Sequence, residues 1–109
     1  MFEGIKGMAD VMKLAGQMGK IQENMAQAQA RAKNRTVTGE AAAGWVKVTA
    51  NGLGEIVKVE VDAEALSDRE SLGPLLVSAT NLAIARSKEI LVEEIRSANQ
   101  GLDLPPGMI

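Results

Sequence analysis

The feature that most constrains this fold is a pair of alternating runs in the middle of the chain. At 45–50 and at 55–61, valines are separated from one another by single residues of other types, the period-2 pattern of half-buried strands. Between the runs lies Asn-Gly-Leu-Gly at 51–54, and Asn and Gly accept the backbone conformations that tight hairpins need. A shorter run at 36–41 precedes them. The sequence therefore predicts a three-stranded antiparallel meander, with strands at about 36–41, 45–50 and 55–61.

The segments on both sides of the meander are predicted to form long helices. Residues 5–33 are rich in Ala, Gln, Met, Lys and Glu, which are good helix formers, and contain no proline. Residues 71–100 carry two apolar stripes, with Ser71 as the predicted N-cap and Pro74 in the first turn. We predict an extended tail at 101–109. With 109 residues the chain is a single α+β domain, whose second helix should cover the valine face of the sheet.

The length of the first helix predicts that the protein is an obligate homodimer. A helix of this size extends about 45 Å, whereas a compact domain of this chain length has a radius of gyration of about 13 Å. The helix should overhang its own globule and expose an apolar heptad stripe, which a second copy of the chain would cover. The predicted dimer interface takes apolar positions from both helices: Val11, Leu14, Met18, Ile21, Met25, Ile84, Leu91 and Ile95.

Composition narrows the possible functions. The chain contains no Cys, His or Tyr, so disulfides, metal ligation through Cys or His, and nucleophiles paired with them are excluded. Nowhere do 18 apolar residues occur together, as a membrane-spanning helix would require. We therefore expect a cytoplasmic protein that is not an enzyme, with no metal, cofactor, small-molecule substrate or membrane partner.

Positive charge is concentrated in the first third of the chain, although the net charge is −2. Residues 1–35 contain six basic and three acidic side chains. Lys6, Lys13 and Lys20 recur every seven residues, and three more basic residues cluster at 31–35. Such a ladder of ammonium groups suits a phosphate backbone. Spacing alone favours the simpler interpretation, a solvated helix face.

The meander glycines and the single tryptophan have structural interpretations. Gly39, Gly44, Gly52 and Gly54 fit no phosphate-binding template, because no strand-to-helix passage follows them, and we interpret them as turn or bulge glycines. Trp45 could be a hot spot for a partner, but packing under a helix or across a dimer interface is the favoured interpretation.

Several short motifs along the chain resemble one family of known proteins. They are Val37-Thr38-Gly39-Glu40, Gly44-Trp45-Val46-Lys47-Val48, Asn51-Gly52, the segment 57–62 with Leu66, and Leu104-Pro105-Pro106-Gly107-Met108. With a helix, a three-stranded meander and a second helix in that order, these residues closely resemble the YbaB/EbfC family of bacterial nucleoid-associated proteins over essentially the whole chain. The resemblance implies an intertwined homodimer with protruding helices that coats or bridges the chromosome and influences gene expression. It also implies that the helices, not the sheet, contact DNA.

With this resemblance, the basic residues become candidate DNA contacts. We predict phosphate-mediated binding of duplex DNA with little sequence specificity, because neither a base-reading helix nor an aromatic platform is evident. The predicted contacts are Lys13, Lys20, Arg31, Lys33 and Arg35, with Lys6, Lys88 and Arg96 as secondary ones. The alternative is a protein-interaction module whose overhanging helices clasp a partner protein, so that any DNA association is indirect.

Overall fold

The computed structural model describes residues 2–100, with side chains from residue 7 onward. Its elements are helix α1 (Phe2–Lys33), strands β1 (Thr36–Ala41), β2 (Val46–Asn51) and β3 (Ile56–Val61), and helices α2 (Ala63–Ser67) and α3 (Arg69–Ala98), with a 3-10 turn at Ala42–Gly44. The predicted order of long helix, three-stranded antiparallel sheet and long helix is confirmed. The side chain of Lys6 and the predicted tail at 101–109 lie outside the described residues.

The start of the C-terminal helical region differs from the prediction. We expected Ser71 to be the N-cap, but α3 begins at Arg69 and Asp68 is its cap, with a carboxylate oxygen that accepts a hydrogen bond from the Ser71 N–H at 3.3 Å. The short helix α2 precedes it, capped in the same way by Asp62. Pro74 consequently lies in the second turn of α3, not in the first.

The sheet is a meander in which β2 is the central strand. Gly39 of β1 and Val59 of β3 both pair with Val48, so these three residues share one face. Helix α3 covers this face so closely at β1 that a Cβ added to Gly39 would overlap the carbonyl oxygen of Ala79 and lie 2.5 Å from the Ala83 nitrogen. Gly39 is therefore a close-contact glycine within a strand, not the turn or bulge glycine that we predicted.

Helix α3 buries only part of the valine face. Val46 and Val48 of β2 are completely buried, whereas Val57 and Val59 of β3 are 54% and 49% exposed. A helix is about 10 Å across and neighbouring strands are about 4.8 Å apart, so one helix covers about two strands. The prediction that the whole valine face packs on the second helix therefore holds for β2 and not for β3.

The buried core of one chain is built mainly from alanine. Among the described residues ten hydrophobic side chains are buried, and six of them are alanines: Ala28, Ala32, Ala50, Ala65, Ala79 and Ala83. Trp45 is half-buried and packs against this core, which confirms that it is a packing residue. Small side chains bring the backbones together but remove little apolar area from water, so the hydrophobic stabilisation of one isolated chain is limited.

Helix α1 runs antiparallel to α3 and extends past its end. Near the sheet, Ala32 and Ile90 meet at Gly52, whose N–H donates to the Ala32 carbonyl oxygen at 2.8 Å and where an added Cβ would lie 2.7 Å from either neighbour. At the other end, Asn24 Nδ2 donates to Asn99 Oδ1 at 3.1 Å. Beyond this contact, residues 7–20 are all exposed. We call residues 7–20 the arm and residues 21–100 the body.

The arm makes the molecule elongated. Its principal dimensions are 78 × 21 × 16 Å, and its radius of gyration is 21.0 Å, compared with about 13 Å for a compact domain of this length. The overhang that helix length predicted is therefore present in the single chain.

Candidate nucleic-acid interface

Positive charge is distributed unevenly among the elements and is concentrated on helix α1. From residue 7 to the end of α1 there are four basic and two acidic side chains, whereas the segment 36–68 has two basic and six acidic ones. Helix α3 has four of each. A polyanion would therefore be attracted toward α1 and away from the sheet.

Lys13 and Lys20 form the part of the predicted site that the arm carries. Both are exposed, and neither makes an ion pair with another described residue. Seven residues separate them, which places them on the same side of the helix about 10 Å apart. Their charges are thus available to an external anion.

Arg31 and Lys33 occupy the opposite end of α1, in its last turn. Both are exposed, and positive charge here also complements the negative end of the helix dipole. The structure places them about 15 to 30 Å along the helix axis from the arm lysines. The four α1 cations therefore lie along one rod and do not form a compact patch.

Arg35 was predicted to belong to the same set, but the structure gives it internal partners. Its Nη1 donates to Glu94 Oε1 and its Nη2 to Glu93 Oε2, both at 3.0 Å. The hydrogen bonds that Arg35 donates to Glu94 and Glu93 raise the pKa of Arg35. This fork ties the start of β1 to α3 and balances the charge of the guanidinium with two carboxylates.

The basic residues of α3 are also interleaved with acidic ones. Lys88 and Arg96 line a shallow hollow together with Glu89, Val92 and Glu93. A phosphate approaching there would meet as many carboxylates as cations. Lys88 and Arg96 thus differ from the arm lysines in two ways: they lie on another helix, and acidic side chains surround them.

Arg86, which we did not predict as a site residue, has a structural role. Its Nη1 donates to the Thr38 carbonyl oxygen at 2.6 Å, so it attaches α3 to β1. Because β1 is an edge strand, this guanidinium also occupies a backbone acceptor that another chain could use. No sequence pattern distinguishes such an arginine from a DNA contact.

The predicted dimer-interface residues fall into three groups. Val11, Leu14 and Met18 lie in the arm and are 65%, 57% and 55% exposed. Four others are half-buried: Ile21, Met25, Ile84 and Leu91. Ile95 is 6% exposed, so its own chain already covers it. Sequence reasoning missed Val57, Val59 and Val77 as exposed apolar residues; the signal available was that one helix cannot cover three strands.

The part of the chain that the structure describes was expected to hold neither a metal site nor a membrane-spanning helix. Its acidic side chains form no group of three or more that is arranged to hold a metal ion. None of its helices is long and apolar enough to cross a membrane.

Comparison with known proteins identifies the family. The model of the YbaB/EbfC DNA-binding family matches residues 7–102. A "Nucleoid-associated protein" from Akkermansia muciniphila is 40% identical over 101 residues, which cover 91% of this chain and 97% of that protein. The crystal structure of the uncharacterized protein HP0035 from Helicobacter pylori aligns with a TM-score of 0.65 and 30% identity, covering 70% of this chain and 82% of that chain. The chain therefore belongs to the YbaB/EbfC DNA-binding family.

Proposed function

We propose that this protein binds duplex DNA as a homodimer, through phosphates and with little sequence specificity, and so organises the nucleoid and affects gene expression. Family membership supports DNA as the partner. The observation that carries the proposal for this chain is the pair Lys13 and Lys20, exposed on an arm that projects from an acidic body. Lysine binds phosphate as a point charge and does not read base edges.

The proposed DNA contacts are basic side chains of α1 that make no ion pair with another described residue. Lys13 and Lys20 are the primary contacts, and Arg31 and Lys33 extend the contact along α1. Arg35 acts mainly by holding α1 and β1 against α3, because Glu93 and Glu94 already accept its N–H groups. Stacking on single-stranded bases is disfavoured, because Trp45 packs against the core.

The homodimer in this proposal is formed mainly by the surface that α3 leaves uncovered. Val57 and Val59 provide the sheet side of this surface. The Ser87 Oγ lies 3.9 Å from the position that a Cβ on Gly54 would take. This side of α3 therefore lies next to the turn that leads into β3. Ile84, one turn before Ser87, lies on the same side of the helix. A second copy related by a two-fold axis could bury both surfaces at once.

The alanine-rich core favours this dimer. Among the described residues, Val46 and Val48 are the only completely buried hydrophobic side chains as large as valine, and Ile90 and Ile95 are nearly so. Covering the β3 valines together with the half-buried Ile84 and Leu91 of α3 would bury further large apolar side chains, at roughly 25 cal/mol per Å² of apolar area buried. The other edge of the sheet is less available, because Arg86 attaches β1 to α3.

DNA binding can be tested by mobility-shift titration of nonspecific duplex at several salt concentrations. Lys13→Gln/Lys20→Gln should weaken binding, and the log-log salt slope should become shallower by about 0.9 for each phosphate that the variant no longer neutralises. Lys47→Gln/Lys58→Gln is the matched control, since it removes two lysines from the sheet. Affinity that ignores salt, or equal reductions in affinity for the two variants, would contradict the phosphate model.

The dimer can be tested by light scattering of the purified protein. Val57→Gln/Val59→Gln should yield monomer or unfolded chain, because it places polar amides in the proposed interface. Lys58→Gln, between these residues on the other face of β3, should leave the dimer intact. A Val57→Gln/Val59→Gln protein that remains a dimer of unchanged stability would exclude this interface.

The alternative, a protein-interaction module, draws on the exposed methionines of the arm. Met8 and Met12 are 67% and 72% exposed, and methionine-rich surfaces adapt to varied partners. Under this alternative, purified protein produces no shift of nonspecific duplex at physiological salt. The proposed function predicts a shift under the same conditions.

A further inference from the structure

The arm carries an apolar stripe that its own chain does not cover. Val11, Leu14 and Met18, the arm stripe, continue the heptad face on which the buried residues Ala28 and Ala32 lie. Helix α3 ends at Ala98, beside the contact between Asn24 and Asn99. On this face Ile21 is half-buried, and Met18, Leu14 and Val11 lie beyond the reach of α3.

The charges of the arm are arranged away from this stripe. With Val11 and Met18 at heptad position a and Leu14 at d, Lys13 and Lys20 both fall at the outward position c. The flanking e and g positions, which face a partner helix in a coiled coil, carry no basic residue in the arm. They are Met8, Asp10, Ala15 and Gln17. Two arms could therefore meet along their stripes without opposing their lysines.

We propose that the arm stripe pairs with the arm of a second dimer and so joins DNA-bound dimers to one another. This inference rests on the proposed DNA binding. A second copy is the occupant because the stripe has the a/d spacing that a helix of the same spacing complements. In addition, the e and g positions that flank the stripe are nearly neutral, so they favour neither a strongly acidic nor a strongly basic partner. Because these positions carry no lysine, two arms that pair along their stripes would not repel each other there.

The pairing should depend on DNA. From Val11 to the last uncovered turn the stripe is about 15 Å long at 1.5 Å per residue, and a contact of this size falls in the class of weak, transient interfaces, below about 1,000 Å². Free dimers at ordinary concentrations would not associate through it. Dimers held on neighbouring or crossing duplexes reach effective concentrations on the order of millimolar, and there the contact forms while Lys13 and Lys20 remain on the phosphates.

The test separates arm pairing from DNA binding itself. Val11→Gln/Leu14→Gln/Met18→Gln removes the arm stripe, and Met12→Gln, at the outward position b of the same arm, is the matched control. Three quantities are measured: dimer mass without DNA, affinity for a duplex that accommodates one dimer, and capture of a second labelled duplex by protein bound to a first.

We expect second-duplex capture by the stripe variant to fall more than tenfold, and we expect this variant to bind long duplex without cooperativity. Its dimer mass should be unchanged, and its single-site affinity should stay within about twofold of the original protein. Met12→Gln should behave like the original protein in all three measurements.

Three results would overturn the proposal. Second-duplex capture that survives removal of the stripe would show that the arms do not pair. Loss of the dimer without DNA would show that the stripe belongs to the dimer interface instead. If Met12→Gln lowered second-duplex capture as much as the stripe variant does, the effect would come from the general hydrophobicity of the arm and not from the arm stripe. Failure of the original protein to bind the single-site duplex would instead contradict the proposed function.

Discussion

The body and the arm use apolar and small residues in opposite ways. In the body, Gly39, Gly52 and six alanines are buried at places where backbones come close together, as at Gly39 against Ala79. In the arm, valine, leucine and methionine are exposed, and Gly16 and Gly19 have nothing within 4 Å of an added Cβ. Apolar content alone therefore does not mark a core in this molecule. What decides burial is whether another element lies within reach.

The largest expected effect tests the close contact in the body. Gly39→Ala should lower the free energy of unfolding by about 3 kcal/mol, the upper part of the range for overpacking, because the added Cβ meets backbone atoms that cannot rotate away. Gly73→Ala, on α3 with open space around it, is the control and should not destabilise the protein. Urea denaturation measures both, and similar destabilisation by the two substitutions would remove the proposed difference between the glycines.

A second pair of substitutions compares buried and exposed apolar side chains. Val48→Ala should cost about 2 kcal/mol through the reduced transfer free energy and a residual cavity, since Val48 is fully buried. Leu14→Ala in the arm removes more apolar volume, yet should change stability by no more than about 0.5 kcal/mol. Denaturation midpoints check this. Strong destabilisation by Leu14→Ala without DNA would mean that the arm is buried in the free dimer.

The arm glycines give a smaller effect of opposite sign. Gly16→Ala and Gly19→Ala should each favour the helix locally by about 1 kcal/mol, because the new methyl meets no neighbour. Far-ultraviolet circular dichroism should show more helix, and amide exchange in the arm should slow. The unfolding midpoint of the body should stay unchanged, and Ala15→Gly should have the reverse local effect.

The smallest effect concerns an exposed ion pair of the body. The hydrogen bond from Lys58 Nζ, 2.6 Å from Glu60 Oε1, lowers the pKa of Glu60 from its ordinary value of 4.5. Stability from this pair should therefore be fully present above that pH and disappear as the pH falls through the lower value in the folded protein. Lys58→Gln should be slightly less stable near neutral pH and equal to the original protein in acid. A difference that persists in acid would point to altered packing instead.

Much of the fold could be predicted because its signals are local. Period-2 valines, a turn rich in Asn and Gly, and proline-free stretches of helix formers act over a few residues. Helix α2 was missed, although Asp62 precedes α2 and Asp68 precedes α3 as N-cap. Ser71 resembled a cap equally well in sequence. The choice among such residues depends on where the chain leaves β3.

The candidate site was only partly predictable. Lys13 and Lys20 lie on the exposed arm where their spacing suggested, and their roles as DNA contacts remain predictions. Arg35 carries the same charge, yet α3 brings Glu93 and Glu94 against it from far along the chain. Sequence proximity to Arg31 and Lys33 could not reveal partners that only folding supplies.

By itself, the sequence determined the order of helices and strands, the basic first helix, and the motifs that place the chain in its family. These properties reside in neighbouring residues and survive any rearrangement of the elements. Only the tertiary structure decided that Val48 is buried and Val59 half-exposed, and that the apolar stripe of α1 is partly covered as far as Ile21 and exposed from Met18 toward the N-terminus. Burial depends on the width and length of the packed helix, which no local pattern encodes.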